Sequence, residues 1–121
     1  MITKIDGIGI DIVDIEDIKH KMTEDFIKRI LSKQEFTYYE TITNDDRKVH
    51  YLAGRFAGKE AYTKAYGKFE TSLNFKDVSI LHDENNSPYI MSLYRPNDRL
   101  KISISHSKTY ATAIVMLDKQ E

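Results

Sequence analysis

A four-spaced stripe of alanines, Ala53, Ala57, Ala61 and Ala65, runs through NDDRKVHYLAGRFAGKEAYTKAYG at residues 44–67. Residues four apart share one face of a helix, so this stripe gives a long helix one smooth side. Only a closely packed sheet or second helix can cover such a side. The spacing predicts one helix from about Asn44 or Asp45 to Tyr66. Asn and Asp suit its cap and first turn, and Gly67 suits its C-terminal stop. Leu52 and Phe56 extend the buried face. Glu60 continues their line beside Ala57 and Ala61, so its carboxylate is expected near the packed side.

The rest of the chain supplies the partners for this helix. ITKIDGIGIDIV reads as a strand in which Ile8, Ile10 and Ile12 alternate with Gly7, Gly9 and Asp11. The segment IEDIKHKM is weakly helical or irregular. DFIKRIL is a short amphipathic helix. Ser32 then opens a further helical stretch, with Glu35 three residues on completing a capping box. After Lys68 the period changes to two. DVSILHD, YIMSLYR, LKISISH and YATAIVML read as four strands separated by ENNSP, PNDR and SKT. The expected architecture is α+β: one N-terminal strand, several helices including one long central helix, then a four-strand antiparallel run. No repeat or long linker divides the chain, so residues 1–121 are expected to form one domain.

Composition narrows the chemistry. The chain has no cysteine, which excludes disulfides, thiolate nucleophiles and cysteine-ligated zinc or iron–sulfur sites. MITKIDG has no apolar signal core, and no run approaches the roughly 20 apolar residues of a membrane helix. A cytoplasmic chain without membrane attachment is expected. A net charge of −1 argues against a general nucleic-acid binder. That average hides an acidic start, Asp6 to Asp17, followed by positive segments at 19–33 and 44–68. These would suit phosphates or an acidic protein partner, or would be solvated helix faces.

GIGID at residues 7–11 raises the question of a nucleotide loop. It is not GxGxxG, no suitable helix opens after it, and no GxxxxGK[ST] exists in the chain. Glycines inside a strand instead mark a close approach by a ligand or another backbone. Asp11, in an otherwise apolar strand, then needs a hydrogen bond, a cation or a metal. Glu60 poses the same question. If strand and helix pack together, the two carboxylates converge, and oxygen-only ligation favours Mg2+. The alternative is two unrelated carboxylates, each paired with a nearby lysine. Arg55, Lys59 and Lys64 flank Glu60 as a phosphate ligand would require, or as a solvated face would present. His106 ends ISISH, where a histidine holds phosphate, shuttles a proton or serves the structure. A Ser-His-acid triad lacks its GxSxG elbow. His20, His50 and His82 read as surface or turn residues.

Taken together, GIGIDIV at 7–13, LAGRFAGKEAYTKAYG at 52–67 and ISISHSKTYATAIV at 102–115 resemble the small bacterial holo-[acyl-carrier-protein] synthases. These are the 4′-phosphopantetheinyl transferases of fatty acid synthesis. The resemblance implies the α+β fold of that family. It implies transfer of the phosphopantetheine arm from coenzyme A to a serine of apo-acyl carrier protein, with Mg2+ and release of adenosine 3′,5′-bisphosphate. It implies Asp11 and Glu60 as metal ligands and catalytic residues, and Arg55, Lys59, Lys64 and His106 as holders of the coenzyme A phosphates. It further implies a homotrimer with active sites between subunits, and docking of the acidic carrier on the segment 19–33, with Lys28 and Arg29 foremost. Three departures stand out. Asp17 and Asp25 replace expected basic residues, KAYGKF stands where KAxGTG is usual, and NSP at 86–88 replaces GKP.

Overall fold

The computed structural model describes residues 1–67 and 73–120. Its elements follow the order β1 (Gly7–Asp14), α1 (Ile15–Lys21), α2 (Glu24–Ile30), α3 (Lys33–Glu40), α4 (Asp45–Tyr66), β2 (Val78–His82), β3 (Pro88–Ser92), β4 (Arg99–His106) and β5 (Tyr110–Asp118). A 3-10 turn, Phe75–Asp77, leads into β2. The α+β expectation holds. The four later strands pair in two hairpins rather than in one sheet: β2 with β3, and β4 with β5. β1 joins the second pair antiparallel to β5, giving the order β1-β5-β4. The weakly helical IEDIKHKM forms α1, because the Asp14 carboxylate caps it by accepting from Glu16 and Asp17 N–H groups.

α4 lies across the three-stranded sheet. Asn44 accepts from Arg47 N–H at its start, and Gly67 ends it with φ 74°. Ala57, Ala61 and Ala65 pack against Ala113, Val115 and Leu117 of β5. The glycines of β1 make this approach possible. A Cβ at Gly9 would lie 1.9 Å from the Ala61 carbonyl oxygen, and one at Gly7 2.0 Å from that of Ala65. The glycines thus face the helix backbone, and strand alternation puts Asp11 and Val13 on the same side. Ile8, Ile10 and Ile12 take the opposite side and are 57%, 61% and 64% exposed.

A second apolar cluster joins α1, α2 and α3 to the first half of α4 through Ile15, Ile18, Ile30, Leu31, Tyr39, Val49, Leu52 and Ala53. Ser32 and Glu35 form the expected capping box at the start of α3. Glu35 does more than cap. Its buried carboxylate accepts from Ser32 N–H, from Ile80 N–H of β2 and from the Lys59 ammonium of α4. One carboxylate therefore pins three elements together.

Candidate active site

Asp11 and Glu60 meet where β1 crosses α4. Asp11 continues the glycine face of β1 toward the helix, and its side chain is 15% exposed. Lys64, one turn beyond Glu60, reaches back over the strand. Its ammonium donates to Asp11 Oδ1 at 3.0 Å and to the Ile10 carbonyl at 3.2 Å. Partial burial raises the Glu60 pKa above the ordinary carboxylate range, and the Asp11 charge raises it further, while Lys64 opposes both. Two carboxylates and one ammonium, predicted from separate segments, thus form one electrostatic group.

Arg55 belongs to a different face of α4. Five residues separate it from Glu60, which rotates it by roughly 140° around the helix. Its guanidinium is 5% exposed and stacks over the Tyr51 ring with 4.1 Å from Cζ to the centroid. Nε and Nη2 both donate to the Ile80 carbonyl, and Nη2 also donates to His82 Nδ1 at 3.2 Å. Nη1 takes no part in these three hydrogen bonds. Arg55 lines a cavity of about 800 Å³ with Arg47, His50, His82, Asn86 and His106. The His106 ring packs edge-on against His50 at 5.3 Å.

Lys59 departs from its expected place. It is fully buried, and its ammonium donates to Glu35, to the Ile30 carbonyl at 2.6 Å and to the Phe75 carbonyl at 3.0 Å. All three N–H groups are thereby used inside the core, so none is left for a phosphate. Burial lowers its pKa, and the Glu35 charge opposes that shift. The helical spacing put Lys59 beside Glu60 in sequence, and the 100° step between neighbours turned it inward.

His50 and His82, read as surface or turn residues, both line the large cavity, and His82 is exposed there at the end of β2. His50 lies between the Asp46 and Ser107 carbonyls at 2.8 and 3.1 Å. His82 partners Arg55. Neither shows a ligand-like spacing, so only the fold brings them to the cavity. Two of the three sequence departures also have physical settings. Asp17 and Asp25 occupy the first turns of α1 and α2, where negative charge suits the helix dipole. Asn86 adopts φ 63°, a left-handed value that asparagine tolerates where GKP would supply glycine. Lys68 and Phe69 of KAYGKF lie outside the described residues.

Residues 7–115 match the family model of the 4′-phosphopantetheinyl transferase superfamily. The chain is 42% identical over 116 residues to a holo-[acyl-carrier-protein] synthase of Anoxybacillus flavithermus, covering 93% of this chain and 95% of that one. It is 43% identical over 116 residues to the Geobacillus sp. protein of the same name, covering 93% and 96%. Among solved structures, it resembles a holo-(acyl-carrier-protein) synthase from Bacillus anthracis in complex with CoA (3′,5′-ADP). That match has a TM-score of 0.85 and 36% identity, and covers 96% of this chain and 98% of the other.

Proposed function

Because the chain belongs to the 4′-phosphopantetheinyl transferase superfamily, among the holo-[acyl-carrier-protein] synthases, we propose that it transfers the phosphopantetheine arm of coenzyme A to a serine of apo-acyl carrier protein. The reaction would require Mg2+ and release adenosine 3′,5′-bisphosphate. The observation that carries this reading is the convergence of Asp11, Glu60 and Lys64.

The donor set suits Mg2+. The Asp11 charge raises the cost of ionising Glu60, and a divalent cation held by the two would relieve it. Among the described residues no cluster of three or more His, Cys, Asp or Glu side chains forms. A cation held by Asp11 and Glu60 would thus take its other ligands from water and substrate phosphate, as Mg2+ usually does. Bound there, Mg2+ would supply charge neutralisation to the pyrophosphate as the phosphoryl bond changes.

The chain's own residues supply the remaining steps. Lys64 is close enough to Asp11 to hold a phosphate oxygen beside it. The carrier serine oxygen attacks the β-phosphorus, and adenosine 3′,5′-bisphosphate departs with the electron pair of the broken P–O bond. Glu60 takes the serine proton, and its raised pKa makes it a better base than an ordinary carboxylate. Arg55, through Nη1, and His106 offer donors to the remaining phosphates from the large cavity.

Arg55 and Glu60 point to different sides of α4, so one chain does not bring the two groups to one phosphate chain. A neighbouring subunit would. The exposed stripe Ile8, Ile10 and Ile12 on edge strand β1 continues onto the half-buried Ile114 and Met116 of β5. This apolar face favours association, and we assign the chain a homotrimer with sites shared between subunits. The acidic carrier would dock on α2 through Arg29, with Lys28 already paired to Glu24 at 2.9 Å.

Intact mass of several apo-carrier proteins tests the reading after incubation with the protein, coenzyme A and Mg2+. A gain of one phosphopantetheine arm, lost when Mg2+ is chelated, is expected. Coenzyme A binding without any mass gain would indicate retention without catalysis and overturn the proposal.

A further inference from the structure

Arg55 is aimed by a histidine. Its Nη2 lies 3.2 Å from His82 Nδ1, and an arginine nitrogen can only donate. His82 Nδ1 must therefore be an unprotonated acceptor, which leaves the ring proton on Nε2. Three groups then fix the guanidinium: the Ile80 carbonyl takes Nε and Nη2, the Tyr51 ring covers one face, and His82 takes the other N–H of Nη2. Nη1 takes no part in these bonds, and Arg55 lines the cavity.

We propose that His82 is a positioning residue for nucleotide binding, which as a neutral imidazole holds Arg55 with Nη1 turned to the ligand and on protonation releases it. This rests on the coenzyme A reading above. An imidazolium has no lone pair for Nη2, and its charge repels the guanidinium. Both effects remove the His82 restraint on Arg55 and leave only the Ile80 carbonyl and the Tyr51 ring. The groups facing His82 agree with a neutral ring. From α3 and α4 come Tyr38, Tyr51 and Arg55, and from the β2–β3 hairpin come Asn86 and Tyr89, with Asp83 the anion that acts on it among the described residues. Partial burial of the ring lowers its pKa below the usual imidazole range, Arg55 lowers it further, and Asp83 opposes them. At neutral pH the restraint is intact. On acidification it fails, and affinity for the nucleotide falls although the protein has gained positive charge.

The test is the affinity of the protein for adenosine 3′,5′-bisphosphate, by calorimetry, from about pH 7.5 to about pH 5. The variants are His82→Asn, whose Oδ1 accepts at every pH, and His82→Leu, which never accepts. Affinities are compared as ratios, so that contributions common to all three proteins cancel. The wild type is expected to match His82→Asn at the upper pH and to fall behind it on the order of tenfold at the lower one. His82→Leu should bind weakly throughout, with thermal unfolding close to the wild type because His82 is exposed. Imidazole nitrogen-15 spectra should place the neutral proton of His82 on Nε2. A wild-type to His82→Asn ratio that stays constant with pH, or rises on acidification, overturns the assignment. So does a proton on Nδ1. If the wild type binds no nucleotide at any pH, the coenzyme A reading falls as well.

Discussion

The Lys64 ammonium lies 3.0 Å from Asp11 Oδ1, and it comes from the turn of α4 that follows Glu60. A cation from the helix thus bridges to a carboxylate of the strand, with a second carboxylate alongside. Substituting Glu60→Gln removes the proposed base while keeping its shape, and Asp11→Asn removes one of the two charges. Each variant is expected to lose carrier modification by roughly 10²-fold or more, the usual size of a general-base contribution. Initial rates of carrier mass gain at saturating Mg2+ measure this. Undiminished transfer by both variants would refute the mechanism.

Gly9→Ala is a prediction about packing. Its Cβ would stand 1.9 Å from the Ala61 carbonyl oxygen and 2.7 Å from the Ala65 nitrogen. Both are helix backbone atoms and cannot rotate away, so the strand and α4 must separate. The expected loss of stability is about 3 kcal/mol or more, at the upper end for overpacking. Urea unfolding measures it, and a change under about 0.5 kcal/mol would mean that the helix does not lie this close.

The contrast between Gly9 and its neighbours shows what the sequence could disclose. Period-two alternation identified β1, and the alanine stripe identified the helix that covers it. Those two patterns made the meeting of Asp11 and Glu60 conditional on strand and helix packing together, and the fold packs them. The same alternation left open which side of β1 faced the helix, and the isoleucines proved to be the outer set. Lys59 was misplaced because a flanking cation on a helix has no sequence mark of turning inward. Its partner Glu35 was visible as a cap, but a capping box does not announce a second bond to a residue 24 positions away. Arg55 and His82 come from α4 and β2, and no spacing rule links them. Local periodicity is written in the chain, whereas the partners of long side chains depend on the packing of whole elements.

Lys59→Met tests that buried pair. The variant retains the length and apolar stem of lysine but leaves the Glu35 carboxylate buried with only its two backbone donors, Ser32 and Ile80. Breaking one side of a buried pair costs about 3–5 kcal/mol. Adding Glu35→Gln to Lys59→Met removes the stranded charge and should recover part of the loss. Chemical denaturation of the single and double variants measures both. An equal or greater loss in the double variant would contradict this account.

Ile10→Lys tests association. Ile10 is 61% exposed in the single chain and pairs with Ile114 at the centre of the outer sheet face. A lysine there leaves the inner packing untouched. In a shared interface it would bring like charges together around the symmetry axis. Sedimentation should show a trimer for the wild type and smaller species for Ile10→Lys, with carrier modification falling in step. An unchanged sedimentation profile would mean that this face is not the interface.

Asp98 governs part of the acid response. It accepts from Tyr66 OH at 2.7 Å and Gln120 N–H at 2.8 Å, and Arg95 Nε lies 3.2 Å from its Oδ2. Burial raises its pKa, but the Gln120 and Tyr66 hydrogen bonds and the Arg95 charge outweigh that and hold it below the usual aspartate value. Between the folded value and the unfolded one, about 3.9, the unfolded chain binds more protons, so stability rises with pH. The contribution is therefore complete above the unfolded value and is lost as pH falls through the folded one. Asp98→Asn cannot titrate. It should be less stable than the wild type at about pH 6, and the gap should close as pH falls toward about pH 2.5. Thermal unfolding of both proteins across that range gives the comparison, and a gap that stays constant would show that Asp98 carries no such linkage.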